Sequence, residues 1–174
     1  ALLDERTAEL NDIAEKLKVG NVSDLPVKVA SLNAELKDLR SQLDKAKAAA
    51  ANQKVEGLFR SAKEVDGLKI FTAYFGGTGA DSLRGMAERI RDQVPTGITV
   101  LCGESDGKVS MAVSVGREAM ERGIKAGALA KLASAITGGN GGGKSDFAMA
   151  GVRDATKVDE ALAAVPELAR RLMK

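Results

Sequence analysis

One stretch of the sequence carries the residue pattern of a phosphate-binding loop. From Gly138 to Ser145 it reads G-x-x-x-x-G-K-S, and every position of 138–143 except Asn140 is glycine. Main-chain N–H groups in such a loop surround a phosphate, and the Lys that follows adds a positive charge. The pattern therefore raises ATP or GTP binding as a first hypothesis.

The neighbouring residues do not suit a phosphate-binding loop of that kind. Such a loop needs a buried strand before the glycines and a long helix that begins at the Lys-Ser pair. Before Gly138, apolar residues instead recur at helical spacing: Leu129, Leu132, Ala133 and Ile136. After Lys144 no helical period follows, and no apolar run ends in an Asp that would bind magnesium. We interpret the match as a coincidence and keep a nucleotide-binding loop only as an alternative.

The glycine run still needs a physical reason, because glycines lose much backbone entropy when a chain folds. Such a run is useful where a second main chain or a phosphate must approach closely, and nearby cations favour an anion. We therefore predict that the run and the cations beside it bind an anion such as a phosphate: Lys125, Gly138, Gly139, Asn140, Gly141, Gly142, Gly143, Lys144 and Arg153. Two alternatives remain, namely that the glycines serve only tight packing, or that the anion-binding site lies along Arg84, Arg89 and Arg91.

Composition excludes several kinds of catalytic chemistry. The sequence has no His and one Cys, Cys102, so it offers no Ser-His or Cys-His pair and no cysteine-rich zinc site. The carboxylates Asp81, Asp146 and Asp154 could bind Mg²⁺, but scattered acidic residues are usually solvated. We predict no catalytic residue, no metal site and no cofactor in this chain.

The expected cellular setting follows from similar observations. A lone cysteine fits a reducing compartment, and no apolar run in the sequence is long enough to span a bilayer. We expect a cytoplasmic location and no membrane contact. The sequence opens on Ala1 rather than on Met, so we expect a piece of a longer protein or a processed chain.

Residues 1–56 are predicted to form a helical arm. An apolar heptad seam begins with the residues Val29, Leu32, Leu36, Leu39 and Leu43. A weaker stripe precedes it, and the segment 20–26, GNVSDLP, separates the two, with Gly20 ending the first helix. The pattern predicts an antiparallel, coiled-coil-like helical hairpin. Either the two stripes bury each other, or these five seam residues pair with a second subunit and make a dimer.

Residues 57–174 are predicted to form a globular α/β (α+β) domain. Asp66-Gly67 predicts a β-hairpin, and further strands are expected at 97–103, 108–115 and 145–151. Apolar residues at helical spacing predict three helices, the last of them interrupted at Pro166. The expected architecture is a mixed sheet of four or five strands with helices.

The stretch from 124 to 151, with its KAG, glycine run and D-x-A-x-A-G, resembles the signature near the C-terminus of alanyl-tRNA synthetases. The matching residues are Lys125, Ala126, Gly127, Gly138, Gly139, Gly141, Gly142, Gly143, Lys144, Asp146, Ala148, Ala150 and Gly151. The segments VDGLKI, ADSLR and SDGKVSMAVSV resemble the same family, so the likeness covers essentially the whole chain. Its globular half is also similar to the domain that accompanies DHH-type phosphoesterases.

The chain departs from the family pattern at three places. Asn140 interrupts the glycines, Lys144-Ser145 stands where the family often has Arg-Pro, and Asp154 replaces part of a further glycine-rich turn. The Lys-Ser substitution is what creates the likeness to a nucleotide-binding loop. DHH phosphoesterases need His and Asp clusters, and this chain has no His, so we expect no phosphoester hydrolysis by it.

The resemblance implies a non-catalytic C-terminal domain of an alanine–tRNA ligase. Such a domain binds the outer corner of tRNA(Ala), here through the glycine run and the cations beside it, links aminoacylation with editing, and can mediate homodimerisation; other nucleic acids would bind weakly. ATP, Mg²⁺ and Zn²⁺ would belong to the rest of the parent enzyme. Two alternatives are a purely structural dimerisation module and a domain that binds a small phosphorylated ligand.

Overall fold

The computed structural model describes residues 2–173. The chain divides into two compact units, one ending at Lys47 and the other beginning at Ala48. A single long helix spans this division, and the boundary expected near residue 56 falls inside that helix.

The first unit is helical. Helix α1 covers Leu2–Lys16, a 3-10 turn covers Val22–Asp24, and helix α2 covers Leu25–Ser61, with Pro26 in its first turn as expected. Helix α1 ends at Lys16, and Lys18 rather than Gly20 takes the left-handed conformation that follows it. Lys18 has a left-handed φ of 55°, and the Val19 N–H donates to the Ala14 carbonyl at 2.8 Å. These are features of the helix-ending motif that usually carries glycine.

The apolar stripes of the two helices do not bury each other. Leu10 and Ile13 of α1 are 43% and 44% exposed, and the α2 seam residues Leu36, Leu39 and Leu43 are between 48% and 57% exposed. Burial in this unit is concentrated at Ala14 and Leu25, which are 6% and 8% exposed. The seam therefore presents an open apolar face.

The second unit is built on a six-stranded mixed sheet with the order β1-β2-β3-β4-β6-β5. Strands β2 and β3 are parallel, and the other neighbours are antiparallel. The strand bounds are β1 Lys63–Val65, β2 Leu68–Gly76, β3 Gly97–Ser105, β4 Lys108–Val115, β5 Asn140–Gly143 and β6 Phe147–Val152. The expectation of four or five strands is corrected to six, because the glycine run itself forms β5.

Four helices accompany the sheet after α2. Their bounds are α3 Ala80–Gln93, α4 Arg117–Glu121, α5 Ala126–Ile136 and α6 Val158–Leu172, and a 3-10 turn covers Ala155–Lys157. Helix α6 runs without interruption through Pro166, contrary to expectation. The short helix α4 was not expected from the sequence.

Two tight turns set the register of neighbouring strands. Asp66 and Gly67 have φ values of 53° and 79°, and Asp106 and Gly107 have values of 54° and 72°. Two consecutive residues with positive φ make the turn type that matches the twist of a hairpin. The hairpin predicted at Asp66-Gly67 and the turn between β3 and β4 are therefore confirmed.

Hydrophobic residues cover both faces of the sheet. One face packs with α5 and α6 and includes Ile98, Val100, Met111, Leu129 and Val165. The other face packs with α3 and the last turns of α2, and includes Val55, Leu58, Phe71, Leu83 and Ile90. Because Val55 and Leu58 belong to this second cluster, the last turns of α2 are part of the globular unit.

Candidate nucleic-acid interface

The glycine run is an edge strand rather than the loop that the sequence suggested. β5 pairs only with β6, with Asn140 opposite Gly151 and Gly143 opposite Ala148. The Lys144 N–H donates to the Phe147 carbonyl at 2.8 Å and closes the turn between the two strands. The other side of β5 carries no strand in the described sheet.

The hydrogen-bond pattern of this hairpin leaves main-chain groups at the open edge. Along an antiparallel pair, residues that bond to the partner strand alternate with residues whose N–H and C=O point away from it. Lys144 bonds to Phe147, so Gly142 also occupies a bonded position. The main-chain groups of Gly141 and Gly143 are therefore directed away from β6, and the Gly143 carbonyl packs against Gly127 at the start of α5.

Close packing accounts for three glycines of the run. A Cβ on Gly139 would overlap the Gly151 carbonyl oxygen, and a Cβ on Gly141 would overlap the side chain of Ala150. On Gly143 it would stand 2.6 Å from the Ala148 Cα atom. Such distances are far below van der Waals contact, so a larger residue would displace β5 from β6.

Gly138 and Gly142 differ from these three. Gly138 has a φ of 65° just after α5, so it serves as the left-handed residue that ends that helix. Beside Gly142 the nearest atom to an added Cβ is the Cε of Lys131, at 3.9 Å. Packing therefore does not require a glycine at position 142.

The start of α5 is bonded directly to the β5–β6 turn. The Ala126 N–H donates to the Ser145 carbonyl at 2.8 Å, and the Gly127 N–H donates to the Lys144 carbonyl at 2.9 Å. These bonds use two amides at the helix N-terminus and hold Lys125 beside Lys144. Two of the predicted cations are thus brought together by tertiary structure.

A groove of about 440 Å³ lies on the α5 side of the edge strand. Its lining includes Lys125, Lys131 and Lys144, and contains no carboxylate. Within the part of the chain that the structure describes, these three lysines form no ion pair. The groove therefore concentrates unneutralised positive charge beside the exposed main chain of β5.

Lys131 was missing from the residues that the sequence singled out. The sequence pattern placed Leu132 on the buried face of α5. In the structure Leu132 is 37% exposed, whereas Leu129, Ala130 and Ala133 are fully buried. With the phase set by the buried residues, Lys131 falls on the exposed side of α5. The spacing of Ala126, Leu129, Ala130 and Ala133 was the signal that could have identified it.

A second groove of about 340 Å³ lies on the α3 side of β5. Arg91 donates to Asp146 at 2.9 Å and also pairs with Asp92, while Arg84 pairs with Glu88 at 3.1 Å. Its two arginines are therefore paired with carboxylates, whereas Lys144, which lines both grooves, is not.

The other predicted cations lie apart from the lysine groove. Arg89 is hydrogen-bonded to the side chain of Asn52, so Arg84, Arg89 and Arg91 do not form one free basic surface. Arg153 follows β6 at the end of the ladder opposite the Lys144 turn, and it lines neither groove.

The carboxylates considered as magnesium ligands are separated in the fold. Asp146 pairs with Arg91, whereas Asp154 accepts bonds from the Thr156 N–H and hydroxyl. Those Thr156 bonds lower the pKa of Asp154. Among residues 2–173, no group of three or more His, Cys, Asp and Glu side chains is placed to hold a metal ion.

Elsewhere in the globular unit, burial raises the pKa of the Cys102 thiol to about 12. The thiol lies in the interior of the sheet, away from both grooves.

No helix of the described chain has the length and apolarity to cross a membrane.

The geometry around Lys144-Ser145 is the reverse of a nucleotide-binding loop. Helix α5 precedes the glycines and strand β6 follows the Lys-Ser pair. In a nucleotide-binding loop a strand precedes and a helix follows, so that helix amides converge on the phosphates. The sequence match thus lacks the structural context that gives the motif its function.

Comparison with known proteins places this fold in a family. The profile described as the DHHA1 domain matches residues 67–171, which is more than half of the chain. The chain belongs to the DHHA1 domain family. The expected likeness of the globular half to the domain that accompanies DHH-type phosphoesterases is thereby confirmed.

Proteins similar to this DHHA1 chain include alanine–tRNA ligases. The chain is 33% identical to the one from Clostridioides difficile over 99% of its own length and 20% of the relative's. It is 35% identical to the one from Leuconostoc citreum over 90% of its own length and 17% of the relative's. The chain thus spans about a fifth of these enzymes.

Solved structures show the same fold. The C-Ala domain of Aquifex aeolicus alanyl-tRNA synthetase superposes with a TM-score of 0.58 at 19% identity, covering 62% of this chain and 96% of that domain. A DHH-domain member of the s1p family of ribosomal proteins superposes with a TM-score of 0.52 at 16% identity, covering 90% of this chain and 36% of that one. The α+β architecture predicted from the sequence is confirmed.

Proposed function

We propose that this chain is the C-terminal part of an alanine–tRNA ligase and that its globular unit binds tRNA without catalysing a reaction. The observation that carries the proposal is the groove beside β5, where Lys125, Lys131 and Lys144 meet without a carboxylate. The alanine–tRNA ligases that match almost the whole chain support tRNA as the polyanion.

The chemistry of the groove suits a sugar–phosphate backbone. Lysine side chains neutralise phosphates, and the N–H groups of Gly141 and Gly143 at the open edge of β5 donate to phosphate or ribose oxygens. Such contacts recognise the shape and backbone of folded RNA with little base specificity. We therefore propose binding to the corner of tRNA(Ala), where it helps one tRNA reach both the aminoacylation and the editing sites.

A salt titration tests this function. Affinities for tRNA(Ala), a second tRNA and duplex DNA are measured at several salt concentrations for wild type and for Lys125→Ala, Lys131→Ala and Lys144→Ala. Each lost phosphate contact should lower the slope of log K against log salt by about one and weaken all tRNAs alike.

The matched control is Arg153→Ala, which removes an exposed cation that lines neither groove. This change should leave the salt slope within error of wild type. Salt-independent binding, or equal effects of the Arg153 and lysine variants, would refute the lysine groove as the RNA site.

The exposed seam of α2 favours a second function, self-association. Leu36, Leu39 and Leu43 are about half exposed, and an apolar face of this kind is unusual on a solitary helix. In the heptad that places Leu36 and Leu43 at position a, Glu35 is at position g and Arg40 at position e. A parallel pair of such helices would bring Glu35 of one copy to Arg40 of the other, twice, so we propose a parallel homodimer.

Cysteine cross-linking tests both the dimer and its direction. Leu36→Cys should give a disulfide-linked dimer under mild oxidation, since equivalent a positions face each other in a parallel coiled coil. The native Cys102 is buried and serves as an internal control in the unmodified chain. A dimer by sedimentation that does not cross-link at position 36 would refute the parallel arrangement.

A further inference from the structure

We propose that the groove on the α3 side of β5 holds an unpaired nucleobase of the same RNA whose phosphate lies in the lysine groove on the α5 side. This inference rests on the proposed tRNA-binding function and adds which side of β5 each part of the bound nucleotide occupies. One nucleotide would straddle the edge strand, with its charged part on one side and its base on the other.

The two grooves meet at the edge strand. Gly142, Gly143 and Lys144 line both of them. β5 is the last strand of the sheet, so no further strand separates the two spaces on its open side. A ligand that crosses the strand at this point meets main chain rather than side chains.

The linings of the grooves differ in chemistry. The α5 side presents three lysines without a carboxylate, as a phosphate requires. The α3 side adds an aromatic ring, Phe147, with Ala148 and Met149, and its arginines are neutralised by Glu88 and Asp146. A mixed apolar and hydrogen-bonding surface suits a neutral base better than a second phosphate.

A stacking surface is already assembled in the α3-side groove. The Arg84 guanidinium lies 5.3 Å from the centroid of the half-buried Phe147 ring. The Arg84 side chain is 60% exposed, so a ligand can reach its guanidinium beside the Phe147 ring. Bases of unpaired RNA nucleotides stack on aromatic rings and on guanidinium planes.

Hydrogen-bond acceptors are available at the rim of this surface. Glu88 pairs with Arg84, and Asp146 pairs with Arg91. A carboxylate has about four acceptor positions, so both retain capacity for the N–H groups of a base. The groove volume of about 340 Å³ lies at the lower end of the roughly 300–1,000 Å³ range of small-ligand sites.

In this arrangement the lack of a side chain at Gly142 leaves room for the nucleotide to cross β5. Packing permits a side chain there, yet the position lines both grooves. A nucleotide that crosses the strand would pass over Gly142, where a Cβ and its substituents would block it. Gly142→Val should therefore weaken RNA binding at least tenfold while the unfolding transition stays close to wild type.

The decisive experiment compares two RNA stem-loops that differ only in the loop, one with normal nucleotides and one with abasic riboses. Both carry the same phosphates. Wild type should bind the loop with bases about tenfold more tightly, as expected for stacking of one base. Arg84→Ala should abolish this preference. Lys131→Ala should weaken both RNAs and keep the preference.

The matched control is Arg117→Ala. Arg117 forms the same kind of i,i+4 pair, with Glu121, but lines neither groove, so its loss should leave the preference intact. Phe147→Leu, checked for folding by its unfolding transition, should act like Arg84→Ala without changing charge.

Two results would overturn the inference separately from the proposed function. If wild type binds both stem-loops equally and with a steep salt dependence, the RNA-binding function stands and the base site is refuted. If Arg84→Ala and Phe147→Leu keep the preference, the base lies elsewhere. Failure to bind tRNA(Ala) itself at low salt would refute the proposed function, and the base site with it.

Discussion

Gly127 and Gly143 face each other where helix α5 meets the edge strand: a Cβ on Gly127 would stand 2.7 Å from the Gly143 carbonyl oxygen. The bond from the Gly127 N–H to the Lys144 carbonyl, 2.9 Å long, lies beside this contact. The absence of a side chain at Gly127 therefore lets the helix approach the β5–β6 turn and sets the distance between the lysines of the groove.

We predict that Gly127→Ala destabilises the globular unit, because the added methyl group must displace main chain rather than a flexible side chain. The loss should be about 1–3 kcal/mol, as for other overpacked interior positions. Gly142→Ala is the matched control, since its Cβ would meet nothing nearer than 3.9 Å. It should change the free energy of unfolding by no more than about 0.5 kcal/mol. Urea titration measures both, and equal losses would contradict the packing role of Gly127.

We predict that ATP and GTP do not bind at the Lys144-Ser145 turn. The amides of Ala126 and Gly127 donate to the carbonyls of Ser145 and Lys144 and are not available to a phosphate. Equilibrium dialysis with labelled nucleotide and Mg²⁺ checks this prediction. Saturable micromolar binding that Lys144→Ala abolishes would contradict it.

We predict that Cys102 makes the stability of the globular unit fall at alkaline pH. Burial raises the pKa of its thiol from 9.0 to about 12, so the folded state keeps the proton where the unfolded state releases it. The contribution is intact below pH 9.0 and is lost as the pH rises toward 12. The loss should be about 1.4 kcal/mol for each pH unit in that window.

The measurement is the free energy of unfolding of wild type and Cys102→Ala between neutral pH and pH 11. Every other titrating group is present in both proteins, so the difference between them isolates the thiol. Relative to Cys102→Ala, the free energy of unfolding of wild type should fall only above about pH 9. Parallel curves across the whole range would show that the thiol ionises equally in the folded and unfolded states.

We predict that Leu36→Asp combined with Leu43→Asp dissociates the proposed parallel homodimer, because each change places a charge in the apolar seam. The matched control is Ser41→Asp combined with Ala48→Asp, which adds the same charge on the opposite side of α2. Sedimentation equilibrium should show a monomer for the seam variant and a dimer for the control. A wild-type chain that stays monomeric at high concentration would contradict the proposal.

Local sequence patterns were sufficient for most of the elements. The apolar spacing of Leu83, Met86, Ala87 and Ile90 predicted α3, and all four residues are buried. Asp66-Gly67 predicted a hairpin because two residues with positive φ are required there and few residue types tolerate it. These features depend on neighbours within a few positions, which a sequence shows directly.

The end of α1 and the course of α6 show where local rules failed. Lys18 takes the left-handed conformation that Gly20 was expected to supply, and α6 continues through Pro166. Helix α6 carries five buried residues besides Val158, so packing against the sheet outweighs the hydrogen bond that a proline removes. Long-range contacts of this kind are invisible in a window of sequence.

The sequence by itself determined the α+β class, the family and the glycine-rich, cation-flanked composition of the candidate site. It did so because periodicity, turn residues and the signature of 125–151 are local properties. Only the tertiary structure decided that the glycines form an edge strand, since a residue without a side chain carries no pattern that distinguishes a strand from a loop. The tertiary structure also brought Lys131 to Lys125 and Lys144 and left Arg153 apart. Which cations share a groove depends on the packing of α5 against β5, and that packing joins residues from separate elements.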